Sequence, residues 1–430
     1  MIPQDSAEAP DVRAIWSLIA VDMLARVSYQ ICRTPVLPLY VAALGGGPAI
    51  VGLTGAASTI TGIALKAPAG ALSDTLGRRP LLLGGLAVFA LGPFLYFVDD
   101  AAWLLPIRLF HGVATAVFGP VAAAAIADMA RGRRGEYLSW LSNSRTCAGL
   151  LGSLAGGLIL SSAALDVGRR SGAPIVPGLG SFHVAWWIAG AFGMAALCLG
   201  PMVMQRVREP EHRTASGAFA KLTKGLAEVA GHRRVLLVSG CEGVQNLTVG
   251  MVEQFLPLYA VIVAGRSPLE AGLIFGVQTV TTIASKPLLG RWSDVRGRKG
   301  LVVAGMLLCA LPFAAIPWAS GLVPLLGLAL VFGLGEALVT AASSALVADL
   351  CRQESLGAAM GVFGTIGDIG HAAGPVLGGL LIAGTAGAGQ AAEAIREAGP
   401  FRVAFGVMAA VLLAFSAVFL LLDRPRAAAA

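Results

Sequence analysis

The sequence predicts an all-α membrane protein in which twelve transmembrane helices form two pseudo-symmetric six-helix bundles. Three observations lead there. The 430-residue chain is 56% hydrophobic and 13% charged, with a mean hydropathy of +0.78, whereas soluble domains carry roughly 25% charged residues. Its apolar stretches are continuous rather than alternating, which favours helices over a β-barrel, and at about 20 residues per span the length accommodates about twelve. Finally, the polar stretch Lys66 to Pro80, KAPAGALSDTLGRRP, occurs again as Lys286 to Gly300, KPLLGRWSDVRGRKG, so the two halves read as copies.

In chain order, the first six spans are expected at Ile15 to Leu44, Ile50 to Leu72, Leu81 to Val98, Trp103 to Met129, Tyr137 to Ala163 and His183 to Met204. The second six are expected at Val235 to Val263, Leu269 to Leu289, Leu301 to Ala319, Leu322 to Leu350, Leu356 to Gly384 and Phe401 to Leu422. This organises the chain as a bundle over 1–204, a linker over 205–234 and a second bundle over 235–430. The linker is basic and has little sustained hydrophobicity, so any helix in it would lie at the membrane surface. The first span carries Asp22, Arg26 and Arg33 and is too long for a cleaved signal peptide.

The repeat extends beyond the polar stretch. Leu37-Pro38-Leu39-Tyr40 matches Leu256-Pro257-Leu258-Tyr259, Ala127-Asp128-Met129 matches Ala348-Asp349-Leu350, and Gly156-Gly157 matches Gly378-Gly379. Parallel halves of this kind imply a pseudo-twofold axis along the membrane normal, with a substrate path between them near the midplane.

The formal charge of +7 is distributed in a way that speaks against nucleic acid. Lys and Arg cluster in alternate loops, at Arg78, Arg79, Arg131, Arg133, Arg134, Arg206 to Arg234, Arg291 to Lys299, Arg352, Arg424 and Arg426. The positive-inside rule then puts both termini in the cytoplasm of a plasma-membrane protein. The six cysteines lie in or beside apolar runs without metal spacing and read as packing residues. No G-x-x-x-x-G-K-[ST] loop is present, so no nucleotide or other cofactor is expected, and a proton gradient is the expected energy source.

The pattern G-x-L-S-D-x-x-G-R-R resembles the signature loop between helices 2 and 3 of the major facilitator superfamily, and the second copy sits where that family places its weaker repeat. Each copy is expected as a tight charged turn, with glycine supplying the left-handed backbone. The resemblance implies a conformational latch in which Asp74 and Arg78 act with Asp128, helped by Gly70 and Gly77. Asp294, Arg298 and Asp349, with Gly290 and Gly297, would form its counterpart. It also implies a role in proton coupling for Arg108, in Arg108-x-x-x-Gly112. One motif departs from the family: Ser153 stands where its antiporters carry Pro after Gly152, while the full Gly-Pro-x-x-Gly-Gly appears at Gly374 to Gly379.

Charges inside spans are costly, at least about 2.5 kcal/mol each at the bilayer centre, and mark candidate functional groups. Asp22, Arg26 and Arg33 follow at intervals of four and seven, which places them on one helical face. Asp22 is either a proton site tuned by Arg26 or half of a static pair. The second half is acidic within its spans, with Glu242, Glu253, Glu336 and Asp368, and His371 is near in sequence. The first half is basic there, with Arg26, Arg33, Lys66, Arg108 and Arg145. Lys66 and Lys286, close to the signature stretches, are expected to reach toward the membrane interface, and Glu253 either does the same or belongs with the acidic groups inside the membrane. Arg26 and Arg33 are expected to face Glu336 and Asp368 across a cavity, favouring zwitterions and anions. His111 is expected to be a packing residue.

The expected function is proton-coupled efflux of a small organic molecule by alternating access, similar to the twelve-span drug:proton antiporters. The chain would act as a monomer in the lipid bilayer with protons and a small-molecule substrate as partners, not as an enzyme and not with nucleic acid. An importer of a polar metabolite and a non-transporting receptor or scaffold are the alternatives.

Overall fold

The computed structural model describes residues 11–130, 132–171, 177–207, 232–351, 356–385 and 392–422. Most of the expected linker, together with Arg131, Arg352, Arg424 and Arg426, lies outside the described residues. The described residues form α-helices joined by short turns, with no strand among them.

The first half contains α1 (Val12–Ile31), α2 (Val36–Ala43), α3 (Pro48–Thr75), α4 (Arg78–Leu91), α5 (Leu104–Met129), α6 (Arg134–Ser171) and α7 (Leu179–Met204). The second contains α8 (Arg233–Leu258), α9 (Pro268–Arg296), α10 (Arg298–Ala315), α11 (Leu322–Leu350), α12 (Leu356–Gly384) and α13 (Ala398–Leu422). Ten segments are long and apolar enough to cross a membrane, α1 and α2 counting together as Val12–Ala43. The remaining long helices, α6 and α9, have 38 and 29 residues and are not among those ten.

Local sequence explains the element boundaries. The Asp11 carboxylate accepts from the Ala14 N–H at 3.1 Å and caps α1. The expected single span of Ile15 to Leu44 is instead two helices, because Pro35 lacks a backbone N–H and the chain turns between Cys32 and Pro35. Arg33 therefore lies in the break and leaves the helical face that carries Asp22 and Arg26. In α9, Ser267 and Glu270 form a reciprocal capping box, with Pro268 at the first helical position.

The signature stretches are also more helical than expected. Lys66 to Thr75 continues α3, and the turn itself is only Leu76 and Gly77, where Gly77 has φ 92°. Gly297 repeats this at φ 88° between α9 and α10. A side chain at either position would be strained, so these glycines permit the reversal. Gly70 and Gly290 lie within the helices, and their carbonyls accept hydrogen bonds from Ser73 and Ser293, each at 2.7 Å.

Within the first half, α3 packs on α5, α4 on α5 and α7, and α1 on α6 and α7. Within the second, α8 packs on α12, α11 on α9 and α10, and α10 on α13. The halves are joined mainly by α3 against α12 and α6 against α9. This inter-half packing is concentrated at one end. Gly52 lies against the Pro375 backbone, Gly379 against Pro48, Gly157 against Pro268 and Gly272 against Ser153, each too close to admit a Cβ without displacement. At the opposite ends of the same helices, Gly70, Gly290, Gly357 and Gly364 have open space where a Cβ would stand. The molecule is closed at the end remote from the signature turns and open at the end that carries them.

Candidate functional site

Two cavities, of about 530 Å³ and 400 Å³, open between the halves and share Arg33 in their walls. The larger is lined on the first-half side by Arg26, Tyr29, Lys66 and Arg145, and on the second-half side by Asp368 and His371. The smaller is lined by Gln30 and Asn143 from the first half, and by Glu253, Gln278, Lys286 and Glu336 from the second.

Asp22 is fully buried on α1. Both its oxygens are taken by Arg145 of α6, through Nε and Nη2 at 3.0 Å each, and Arg145 Nη2 also donates to the Gly119 carbonyl at 3.1 Å. A bidentate fork of this kind is among the stronger side-chain pairs. Arg26, the partner expected from the sequence, stands further off, with its Nε 3.7 Å from Asp22 Oδ1.

Arg33 Nη2 donates to Glu253 Oε2 at 2.5 Å, and His371 Nε2 stands 3.1 Å from the same oxygen. This triad joins the α1–α2 break to α8 and α12, next to the closed end. Arg33 lines one cavity with Glu336 and the other with Asp368, while its direct partner is a nearer carboxylate, Glu253. Glu253 is buried within the protein. Lys66 Nζ pairs with Asp368 Oδ2 at 2.5 Å across the halves, near the open end.

Arg108 is fully buried near the start of α5. It donates to Tyr96 Oη at 3.4 Å and Ser58 Oγ at 3.2 Å, and its guanidinium carbon lies 4.7 Å from the centre of the Tyr29 ring. A cation over an aromatic face is attracted by the ring's negative π cloud. His111 is buried beside it, with Nδ1 3.1 Å from Tyr96 Oη and aromatic contacts to Tyr29 and Phe89.

In the second half, Glu242 accepts from Thr340, Ser343 and Asn246 at 3.0 to 3.2 Å. Glu336 Oε2 accepts from Gln278 Nε2 at 3.2 Å and Thr282 Oγ1 at 3.1 Å. At the signature turns, Arg78 Nη2 pairs with Asp128 at 2.6 Å and Arg298 Nη1 with Asp349 at 2.7 Å, so the two copies make equivalent contacts. Asp74 is half-buried at the end of α3, while the Asp294 side chain lies outside the described residues.

The structure thus supplies the partners of Glu253, Arg145 and Lys66, which the sequence offered only as charges within spans. A signal for Glu253 was present. It lies 220 residues after Arg33, the spacing that separates Asp74 from Asp294, and equivalent positions near a pseudo-twofold axis face each other. For Arg145 the sequence holds no comparable sign.

A charged cavity between two repeated halves, in a protein built of membrane-length helices, is the site of a transporter and not of an enzyme. The chain belongs to the Major Facilitator Superfamily, whose model matches residues 23–267 and 247–430. It is 25% identical over 373 residues to the multidrug resistance protein MdtH of Aeromonas hydrophila, covering 85% of this chain and 87% of that one. To MdtH of Cronobacter sakazakii it is 26% identical over 326 residues, 75% of each chain. Among solved structures it is similar to a bacterial homolog of the human lysosomal transporter Spinster in an inward-facing, occupied conformation, with a TM-score of 0.76, 16% identity and coverage of 97% of this chain and 98% of that one. It is also similar to the nucleoside transporter NupG, with a TM-score of 0.69, 12% identity and coverage of 96% and 100%.

Proposed function

We propose that the protein is a proton-coupled exporter of small organic molecules in the plasma membrane, working by alternating access. In this reading twelve transmembrane helices form two six-helix bundles that rock about the cavity, and both termini are cytoplasmic. The observation that carries it is the contrast between the two ends of the inter-half interface. Glycine-to-backbone contacts shut one end, while the same helices leave Gly70, Gly290, Gly357 and Gly364 unopposed at the other. With the basic turns in the cytoplasm, this is an inward-open carrier. The multidrug resistance relatives support a drug-like cargo.

Asp22 is the proposed proton site. A carboxylate that gains a proton loses its hold on Arg145, so protonation can reset the first-half wall of the cavity. Arg78 with Asp128, and Arg298 with Asp349, are the proposed latch residues that favour one state, with Asp74 acting at the first turn and Asp294 at the second. Import of a polar metabolite is the second reading, supported by the charges that line the cavity and by Ser153 in place of the antiporter Pro. A scaffold would have no use for these buried charges.

Single cysteines at Ala49 and Gly357, in a background lacking the native cysteines, test the geometry. At rest, a membrane-impermeant thiol reagent is expected to label Gly357→Cys from the cytoplasmic face and to spare Ala49→Cys from the other. An imposed pH gradient with substrate present should expose Ala49→Cys and protect Gly357→Cys. Labelling that never changes at either site contradicts alternating access.

A further inference from the structure

Most charges in the cavity satisfy one another. Arg33 and His371 hold Glu253, and Lys66 holds Asp368. Two groups, one from each half and one in each cavity, are not satisfied in this way.

The first is Arg26. Both oxygens of its neighbour Asp22 are bonded by Arg145, and the 3.7 Å contact of Arg26 with Asp22 is too long for a hydrogen bond. Its buried Nε has no hydrogen-bond partner, although the side chain faces the larger cavity. One carboxylate, Asp22, stands against the two guanidinium groups of Arg26 and Arg145, so this wall carries an excess positive charge. The second group is Glu336, whose bonded oxygen takes only the neutral donors Gln278 and Thr282, and which forms no ion pair among the described residues. Glu242 behind it is likewise held by neutral donors. Beside the Arg33–Glu253 pair, the wall of that cavity carries Lys286 and Glu336, and with Glu242 as a further buried carboxylate the acidic groups of this region outnumber its one unpaired ammonium among the described residues.

Resting on the transporter reading above, we infer that the cavity selects a substrate carrying both an anionic and a cationic group, the anion held by Arg26 and the cation by Glu336. A guanidinium with unspent N–H groups matches a carboxylate in shape as well as charge. A purely lipophilic cation leaves that guanidinium desolvated and without a counter-charge. The two cavities, about 530 Å³ and 400 Å³, have Arg33 in common in their walls and fall within the size range of small-molecule sites.

The test measures binding to the purified full-length protein with three forms of one skeleton: norfloxacin as a zwitterion, its ethyl ester as a cation, and its N-acetyl derivative as an anion. The wild type is expected to bind the zwitterion about tenfold more tightly than either derivative, the size of one charge-assisted contact. Arg26→Gln should bring the zwitterion and the ester to equal affinity, and Glu336→Gln should do the same for the zwitterion and the N-acetyl form. Arg26→Lys, which keeps the charge and loses the fork, should restore part of the preference. Gel filtration and unfolding midpoints like those of the wild type qualify each variant. The inference is overturned if the ester binds best, if none of the three binds, or if Arg26→Gln leaves the ratios unchanged. Flux is scored separately: the expected ratios without transport refute the transporter reading, whereas transport with flat ratios refutes the substrate class.

Discussion

Replacing Glu253 with Gln should loosen the closed end of the molecule. The carboxylate accepts from Arg33 at 2.5 Å and faces His371 at 3.1 Å, and it ties the break between α1 and α2 to α8 and α12. Removing one member of a buried pair costs about 3–5 kcal/mol, because a charge is left behind without its partner. Here Arg33 is 17% exposed and borders an open cavity, so solvent recovers some of that loss and about 2 kcal/mol is the working figure. The loss falls on the state in which the halves are joined at this end, and 2 kcal/mol shifts a two-state equilibrium by about thirtyfold. Spin-label distances across the closed end, between Ala49 and Val376, report the populations directly. The variant should show a larger fraction of long distances than the wild type. Arg33→Gln in the same chain should bring the distribution back toward the wild type, since no unpaired charge then remains. An unchanged distribution in Glu253→Gln would refute the assignment of this triad as an inter-half tie.

Further outcomes follow from the same geometry. Asp22→Asn should abolish the response of transport to a pH gradient while substrate exchange at zero gradient persists, measured in reconstituted vesicles; an unchanged gradient response returns Asp22 to a structural role. Arg78→Ala should cut transport at least about tenfold with substrate binding retained, because the residue holds a conformation and does not touch the cavity, and Arg298→Ala should act more weakly. Gly70→Leu should leave the unfolding midpoint near that of the wild type, since the position opens on free space, yet should block transport if this end must close. Full activity in Gly70→Leu would contradict closure of α3 against the other half.

Hydropathy and the repeat made the helical membrane fold legible, because burial in lipid demands long apolar runs and duplication leaves an offset that can be counted. The break at Pro35 was less visible, since the apolar run continues through it and only the missing N–H interrupts the helix. That break moved Arg33 off the face assigned to it and into contact with Glu253. Lys66 precedes a polar turn, and because α3 runs on past it to Thr75 its ammonium comes within reach of Asp368, a partner that no local pattern indicates. Asp22 was recognised as a central charge from its cost in lipid, whereas its principal partner, Arg145, lies 123 residues away and no local pattern links them. Distant pairs of this kind depend on tertiary packing, which periodicity along one helix does not encode.

Gradient-driven flux tests the central claim most directly. Purified protein is reconstituted into vesicles loaded at acidic pH and diluted into alkaline buffer with labelled norfloxacin outside. An antiporter lets protons leave and drives substrate inward, so the label should accumulate in the acidic lumen and dissipate when a protonophore is added. Accumulation only when the outside is the acidic side would establish cotransport and make the importer the correct reading, and no accumulation under either gradient would contradict proton-coupled transport of this compound altogether.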